Sequence, residues 1–249
     1  MSAIKKIGIL GGTFDPPHVG HLKLAAHFAK LLHLDALLLI PSGEPWQKGT
    51  GITPAETRLQ LTEATGIDLA RAFLYLKIPT QVGIDRIEID RAGPSYAIDT
   101  VKALRERFGA EASLIWLMGA DSLVALPSWN SWEKLSQYVN FAVATRPHHD
   151  LKQEISPQVS TFLKEHQTLD AAALENRIVE GTHHILLPAR RRADLVDHHV
   201  DRDDGRDHRQ HLRGDEEEQG VLGLLHLADA ERIRRGDGEE DDEEEEEEE

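Results

Sequence analysis

Gly11-Gly12-Thr13-Phe14-Asp15-Pro16-Pro17-His18-Val19-Gly20-His21 joins an apolar run, Ile4 to Leu10, to a stretch of helical periodicity, and its reading decides the fold. Ile7-Gly8-Ile9-Leu10 is short, apolar and met at once by glycines, as expected of a buried strand that ends in a tight turn. Beyond the loop, Leu22, Ala25, Ala26, Ala29 and Leu32 recur at helical spacing, so the unit reads strand, loop, helix. A helix N-terminus offers unpaired N–H groups and a partial positive charge, and paired glycines let a polyanion approach the backbone closely. Those properties describe a phosphate site. His18 and His21 stand three apart at the helix start, close enough to point at one small ligand. Imidazoles donate hydrogen bonds to phosphoryl oxygens and can carry charge near neutral pH. Singly, these signs also fit an ordinary turn, a surface histidine pair or half of a metal site. The Walker loop, with its Gly-Lys-Ser/Thr ending, and the Gly-x-Gly-x-x-Gly dinucleotide fingerprint are both lacking here.

Composition divides the chain. Residues 190–249 hold 10 Arg, no Lys and 24 Asp+Glu, which leaves 18 basic and 20 acidic residues in the first 189. The expected organisation is a folded domain over 1–188 and a low-complexity acidic tail over 189–249, too charged to bury a core and therefore disordered. The change of composition reads as translation in a shifted frame or as an acidic interaction arm. A near-neutral body lacks the basic face that nucleic-acid binding needs, so no nucleic-acid partner is expected. Cysteine is absent, which excludes disulfides, a thiolate nucleophile and thiolate metal sites. The histidine pairs at 183–184 and 198–199 belong to no closed ligand set, so no protein-held metal is expected. No run of about 18 apolar residues and no signal-type apolar core occurs, so the expectation is a cytoplasmic protein without a membrane partner. A homo-oligomer is left open.

Downstream, Ala36 to Ile40 reads as a second strand, ended by Pro41-Ser42-Gly43. The loop Gly43-Glu44-Pro45-Trp46-Gln47-Lys48-Gly49-Thr50-Gly51 sits where an open α/β sheet binds ligands, giving Lys48 a phosphate and Trp46 a packing role. Thr53-Pro54-Ala55-Glu56 has capping-box form and starts a helix, with Arg58 in its second turn as a structural pairing residue. Phe73 to Ile78 and Arg86 to Arg91 read as strands, the second with Glu88 and Asp90 on a wet face. Gly93-Pro94-Ser95-Tyr96 leads into a helix, Ala97 to Phe108, closed by Gly109. Ser113 to Met118 is a nearly unbroken apolar strand running into Gly119-Ala120-Asp121-Ser122, a second strand-to-loop junction able to meet a ligand, where Asp121 suits a cap of the next helix. Trp129 and Trp132 are either plain core or a stacking surface for a flat ring. Phe141 to Thr145 is a further strand, followed by Arg146, which suits a phosphate or a surface carboxylate.

Together the motifs resemble the nucleotidyltransferase superfamily, whose His-x-Gly-His element is here His18-Val19-Gly20-His21. Pro45 to Lys48, Thr53 to Leu59, Gly93 to Tyr96 with Asp99-Thr100, Gly119 to Ser122, Trp129 to Leu135 and Arg146-Pro147 narrow it to the bacterial nicotinate-nucleotide adenylyltransferases, over about residues 4–187. The resemblance implies a Rossmann-like doubly wound α/β fold, with a mostly parallel sheet and helices on both faces. It implies transfer of AMP from ATP, with Mg²⁺ carried mainly on the phosphates, to nicotinate mononucleotide. ATP would be held by Gly11, Gly12, Thr13, Phe14, His18, His21, Lys48, Gly119, Asp121 and Arg146, with His18 and His21 catalytic. The acceptor would be held by Tyr96, Thr100, Trp129 and Lys48. The alternatives are a catalytically impaired nucleotide-binding protein of the same fold and a related nucleotidyltransferase with another acceptor. Two departures bear on this. Ala97 stands where the family usually has threonine after Ser-Tyr, and the superfamily's Ile-Ser-Ser-Thr-x-x-Arg helix opening is missing after Leu187.

Overall fold

The computed structural model describes residues 6–49, 51–145, 155–168 and 185–186. All fall in the first of the two units into which the chain divides, Met1–Val200. The expected boundary at 188/189, the tail and Arg146 lie outside the described residues.

Seven strands make one sheet: β1 (Lys6–Gly12), β2 (Ala36–Pro41), β3 (Gln81–Ile84), β4 (Ser113–Gly119), β5 (Asn140–Ala144), β6 (Gln167–Thr168) and β7 (Ile185–Leu186). Their order is β3-β2-β1-β4-β5-β7-β6, and every adjacent pair is parallel. The helices are α1 (Val19–Leu32), α2 (Ala55–Tyr75), α3 (Ala97–Phe108), α4 (Ala120–Val124) and α5 (Pro157–His166). Parallel strands covered on both faces read as continuous apolar runs, which is why β2 and β4 look alike in sequence. Alternate residues then divide the core. Ile7, Ile9, Leu114, Trp116, Met118, Phe141 and Val143 pack with Ile98, Val101 and Leu104 of α3 and Val159 and Leu163 of α5. On the opposite face Leu10 and Leu39 line a small cavity with Leu22 and Ala25 of α1 and Leu69 of α2. The fold is the expected α/β arrangement with helices on both faces. From β1 the chain winds one way to β2 and β3, then returns to the other side of β1 for β4 and β5. The reversal lies between β1 and β4, and ligands of such sheets bind outside the carboxyl ends of the strands at that point.

Several elements differ from the sequence reading. Gly11 and Gly12 belong to β1, paired with Ile40 and Pro41, rather than to a turn beyond it. A side chain at Gly11 would meet the Trp116 indole at 3.0 Å, so this glycine serves packing inside the sheet. Phe73 to Tyr75 ends α2, with Leu69, Ala72 and Phe73 buried at helical spacing. A long helix already under way overrides the β propensity of Phe-Leu-Tyr. The strand on that side is Gln81–Ile84. Residues 86–90 form a turn, with Ile89 and Asp90 N–H both donating to the Arg86 carbonyl. Glu88 is accordingly buried rather than wet. Helix α2 starts without a side-chain cap: its N-cap is Pro54, which has no side-chain acceptor, and Thr53 before it gives its N–H to Asp15 Oδ2 at 3.0 Å.

Candidate active site

The loop after β1 ends at His18, the N-cap of α1. The His18 N–H donates to His21 Nδ1 at 3.1 Å, and the two rings stack with centroids 3.8 Å apart. Phe14 stands edge-on to His21 at 5.0 Å, its backbone at φ 50°. Because Nδ1 accepts, the neutral His21 ring carries its proton on Nε2. Burial, with the His18 ring adding to it, pushes the His21 imidazole down to about 4. His21 is therefore a neutral hydrogen-bond donor at physiological pH, not a cation.

Four contacts join the remaining loops into one rim. Ser95 Oγ accepts from the N–H groups of Gly43 and Glu44 at 2.9 and 3.1 Å, while the Ser95 N–H donates to the Glu44 carbonyl. Trp46 is exposed, its ring 6.0 Å from that of Tyr96 at the N-cap of α3. Gln47 Nε2 donates to Ser128 Oγ at 3.4 Å. Trp129 packs edge-on against Trp116 at 6.1 Å, which returns the circuit to Gly11. Lys48 is exposed and close enough to Asp15 to help hold that carboxyl below its usual range, though the hydrogen bonds from Thr53 do more. Trp132 instead packs into the core against Phe162, so the two tryptophans diverge.

Gly119 closes β4 and is the N-cap of α4, and Asp121 stands in the first turn. Asp121 is thus not the helix cap. Thr100, expected at the acceptor, has a fully buried side chain whose hydroxyl donates to Glu88 Oε1 at 2.6 Å. Sequence reasoning overlooked Glu88. Burial raises its carboxyl, opposed by hydrogen bonds from Thr100, Ser95 and Ser42 and by Arg91. Arg58 has the structural role expected of it, with main-chain carbonyls as its partners. It is buried and donates to three backbone carbonyls, Thr53, Thr13 and Gly43, at 2.9, 2.7 and 2.9 Å. Its signal was position, since it shares a helix face with Thr62, Thr65 and Leu69, all buried. Among the described residues no group of three His, Cys, Asp or Glu could hold a metal, and no helix is long and apolar enough to cross a membrane.

Residues 9–164 match the model of the cytidylyltransferase-like family. A Chromobacterium violaceum protein named "probable nicotinate-nucleotide adenylyltransferase" is 37% identical over 177 residues, 71% of this chain and 77% of that protein. One of the same name from Leifsonia xyli is 37% identical over 172 residues, 69% of this chain and 80% of its own. The chain belongs to the nicotinate-nucleotide adenylyltransferases of the cytidylyltransferase-like family. The fold is also that of the Plasmodium falciparum nicotinic acid mononucleotide adenylyltransferase solved with NaAD, at TM-score 0.51 and 15% identity over 78% of this chain and 80% of that one. In this nicotinate-nucleotide adenylyltransferase relative the histidine pair lies at the start of α1, His18 as its N-cap and His21 in its first turn, just past the carboxyl end of β1.

Proposed function

We propose that this protein transfers AMP from ATP to nicotinate mononucleotide, giving nicotinate adenine dinucleotide and pyrophosphate as a step of NAD biosynthesis in the cytoplasm. The observation that carries this reading is the neutral His21, fixed by the His18 N–H as an Nε2 donor at the sheet's reversal point. An acceptor phosphate oxygen attacks the α-phosphorus, the bond to the β-phosphate oxygen breaks, and pyrophosphate leaves with the electron pair. The nucleophile is already an anion, so no base is required. Catalysis consists of in-line positioning and of stabilising charge that grows on the transferring group.

Within that scheme His21 donates to the α-phosphate and His18 to its neighbours, and the backbone of Gly11, Gly12, Thr13 and Phe14 lies along the triphosphate. Lys48 supports the triphosphate or the acceptor phosphate. Gly119, Asp121 and Arg146 serve the adenosine and phosphate side, and Tyr96 and Trp129 frame the pyridine ring. Mg²⁺ enters as part of the ATP complex, hence as substrate. A cation held mainly by phosphate oxygens needs no carboxylate cage of the protein's own. The chemistry is assigned to residues 1–188, with 189–249 as an appendage.

The test is pyrophosphate release by this chain from ATP and Mg²⁺ with nicotinate mononucleotide, beside its amide analogue. Release with the acid supports the assignment, and the amide rate reports the effect of alanine at 97. The missing Ile-Ser-Ser-Thr-x-x-Arg motif favours a second reading, a nucleotide-binding protein without turnover. Binding of ATP with no release from either acceptor would decide for it.

A further inference from the structure

The β1–β2 ladder ends where the Ser42 N–H donates to the Gly12 carbonyl at 2.9 Å. Beyond that point the two backbones part, one toward His18 and His21, the other toward Trp46 and Lys48. Just beyond it, the Thr13 carbonyl on one side and the Gly43 carbonyl on the other are received by the same guanidinium, by Arg58 Nη1 at 2.7 Å and Nη2 at 2.9 Å. Nε of that group donates to the Thr53 carbonyl at 2.9 Å, while the Thr53 N–H returns to Asp15 Oδ2 at 3.0 Å. Three loops are thereby fastened at one planar fork. A buried arginine with every nitrogen on a main-chain carbonyl has fixed geometry, and lysine, a single point donor, cannot reproduce it.

We propose that Arg58, with Asp15 as its bracket, is a positioning residue that couples the two ligand sites. It extends the strand ladder past the end of the strands, so that ordering either loop around its ligand also orders the other. The inference rests on the proposed function, in which the first loop takes ATP, and it takes Lys48 of the second loop to hold the acceptor phosphate. Ligand-induced ordering of a shared element lowers the ordering cost that the second ligand meets, which is positive cooperativity without a large movement. Linkage requires the effect to be reciprocal.

The experiment measures binding of nicotinate mononucleotide to the full chain, by tryptophan fluorescence, with and without a non-hydrolysable ATP analogue, then the analogue with and without the mononucleotide. In the unaltered protein each ligand is expected to tighten the other by the same factor, about 5-fold or more. In Arg58→Lys and Asp15→Ala that factor falls toward 1. A merely structural arginine would lower Tm, and even both single-ligand affinities, while leaving the factor intact. Arg58→Lys decides wherever its thermal transition shows that it folds. Where it does not fold, Asp15→Ala decides, since Asp15 is exposed on its loop. A factor of 1 in the unaltered protein, or an undiminished factor in the deciding variant, overturns the coupling alone. Failure of the unaltered protein to bind either nucleotide overturns the functional reading and the coupling with it.

Discussion

A histidine whose Nδ1 accepts a backbone N–H cannot be protonated there without losing that bond, and His21 lies half-buried against the His18 ring besides. Its folded-state value of about 4 lies below the 6.5 of the free side chain. Between those values the unfolded chain binds the extra proton. Stability from this group is therefore complete above about pH 6.5 and is lost as pH falls toward 4. Urea unfolding of the unaltered protein and of His21→Asn at pH 7 and pH 4.5 should show the former losing about 2–3 kcal/mol more than the variant on acidification. Equal losses would mean that His21 titrates normally. Removing the Nε2 donor by His21→Ala is expected to lower kcat by about 10²–10³, by analogy with loss of an oxyanion-hole donor, with a small effect on the acceptor KM. Steady-state kinetics reads this directly, and turnover like that of the unaltered protein would remove His21 from the mechanism.

At the scale of elements, helix α3 has its N-cap, Tyr96, at the site and its buried face, through Thr100, on Glu88. If Thr100 is a strut and not a ligand, Thr100→Val should destabilise by about 1–3 kcal/mol, the cost of a buried acceptor losing a donor. The KM for nicotinate mononucleotide should stay within about 2-fold. A KM that rises with stability unchanged would return Thr100 to the acceptor. The same helix shows what sequence makes legible. Ala97 to Phe108 was readable to the residue, because its periodicity, entry turn and closing Gly109 agree. So were β2 and β4, short apolar runs between turn signals. Legibility failed where two local signals competed. Phe73-Leu74-Tyr75-Leu76 has strand composition but sits within reach of a helix begun at Ala55. Ile87-Glu88-Ile89-Asp90 alternates like a strand, yet Glu88 turns inward to the hydroxyls of Thr100, Ser95 and Ser42, which the alternation does not announce. The site followed the same rule. The histidine loop is local, and so could be read. The bracket formed by Arg58 joins carbonyls of residues 13, 43 and 53, and no pattern in a linear chain announces which carbonyls an arginine will meet.

Over the whole molecule, the acidic charge lies outside the family match: residues 190–249 hold 24 acidic residues against 10 Arg, while the match ends at residue 164. If the chemistry belongs to residues 1–188, a chain ending at Pro188 should release pyrophosphate at nearly the full-length rate. A drop of 10-fold or more in initial rate would make the acidic segment part of the enzyme. The strand order has a consequence for how the protein is made. Among the described strands β1 is synthesised first, yet its neighbour β4 begins only at Ser113, and β7, which lies between β5 and β6, ends at Leu186. Such distant pairings form slowly because the intervening loop must close first. On the ribosome β1 can pair early with β2, but its other edge stays open until α3 and β4 have emerged. For that interval the histidine loop lies beside an unpaired edge, the kind of surface through which incomplete chains aggregate.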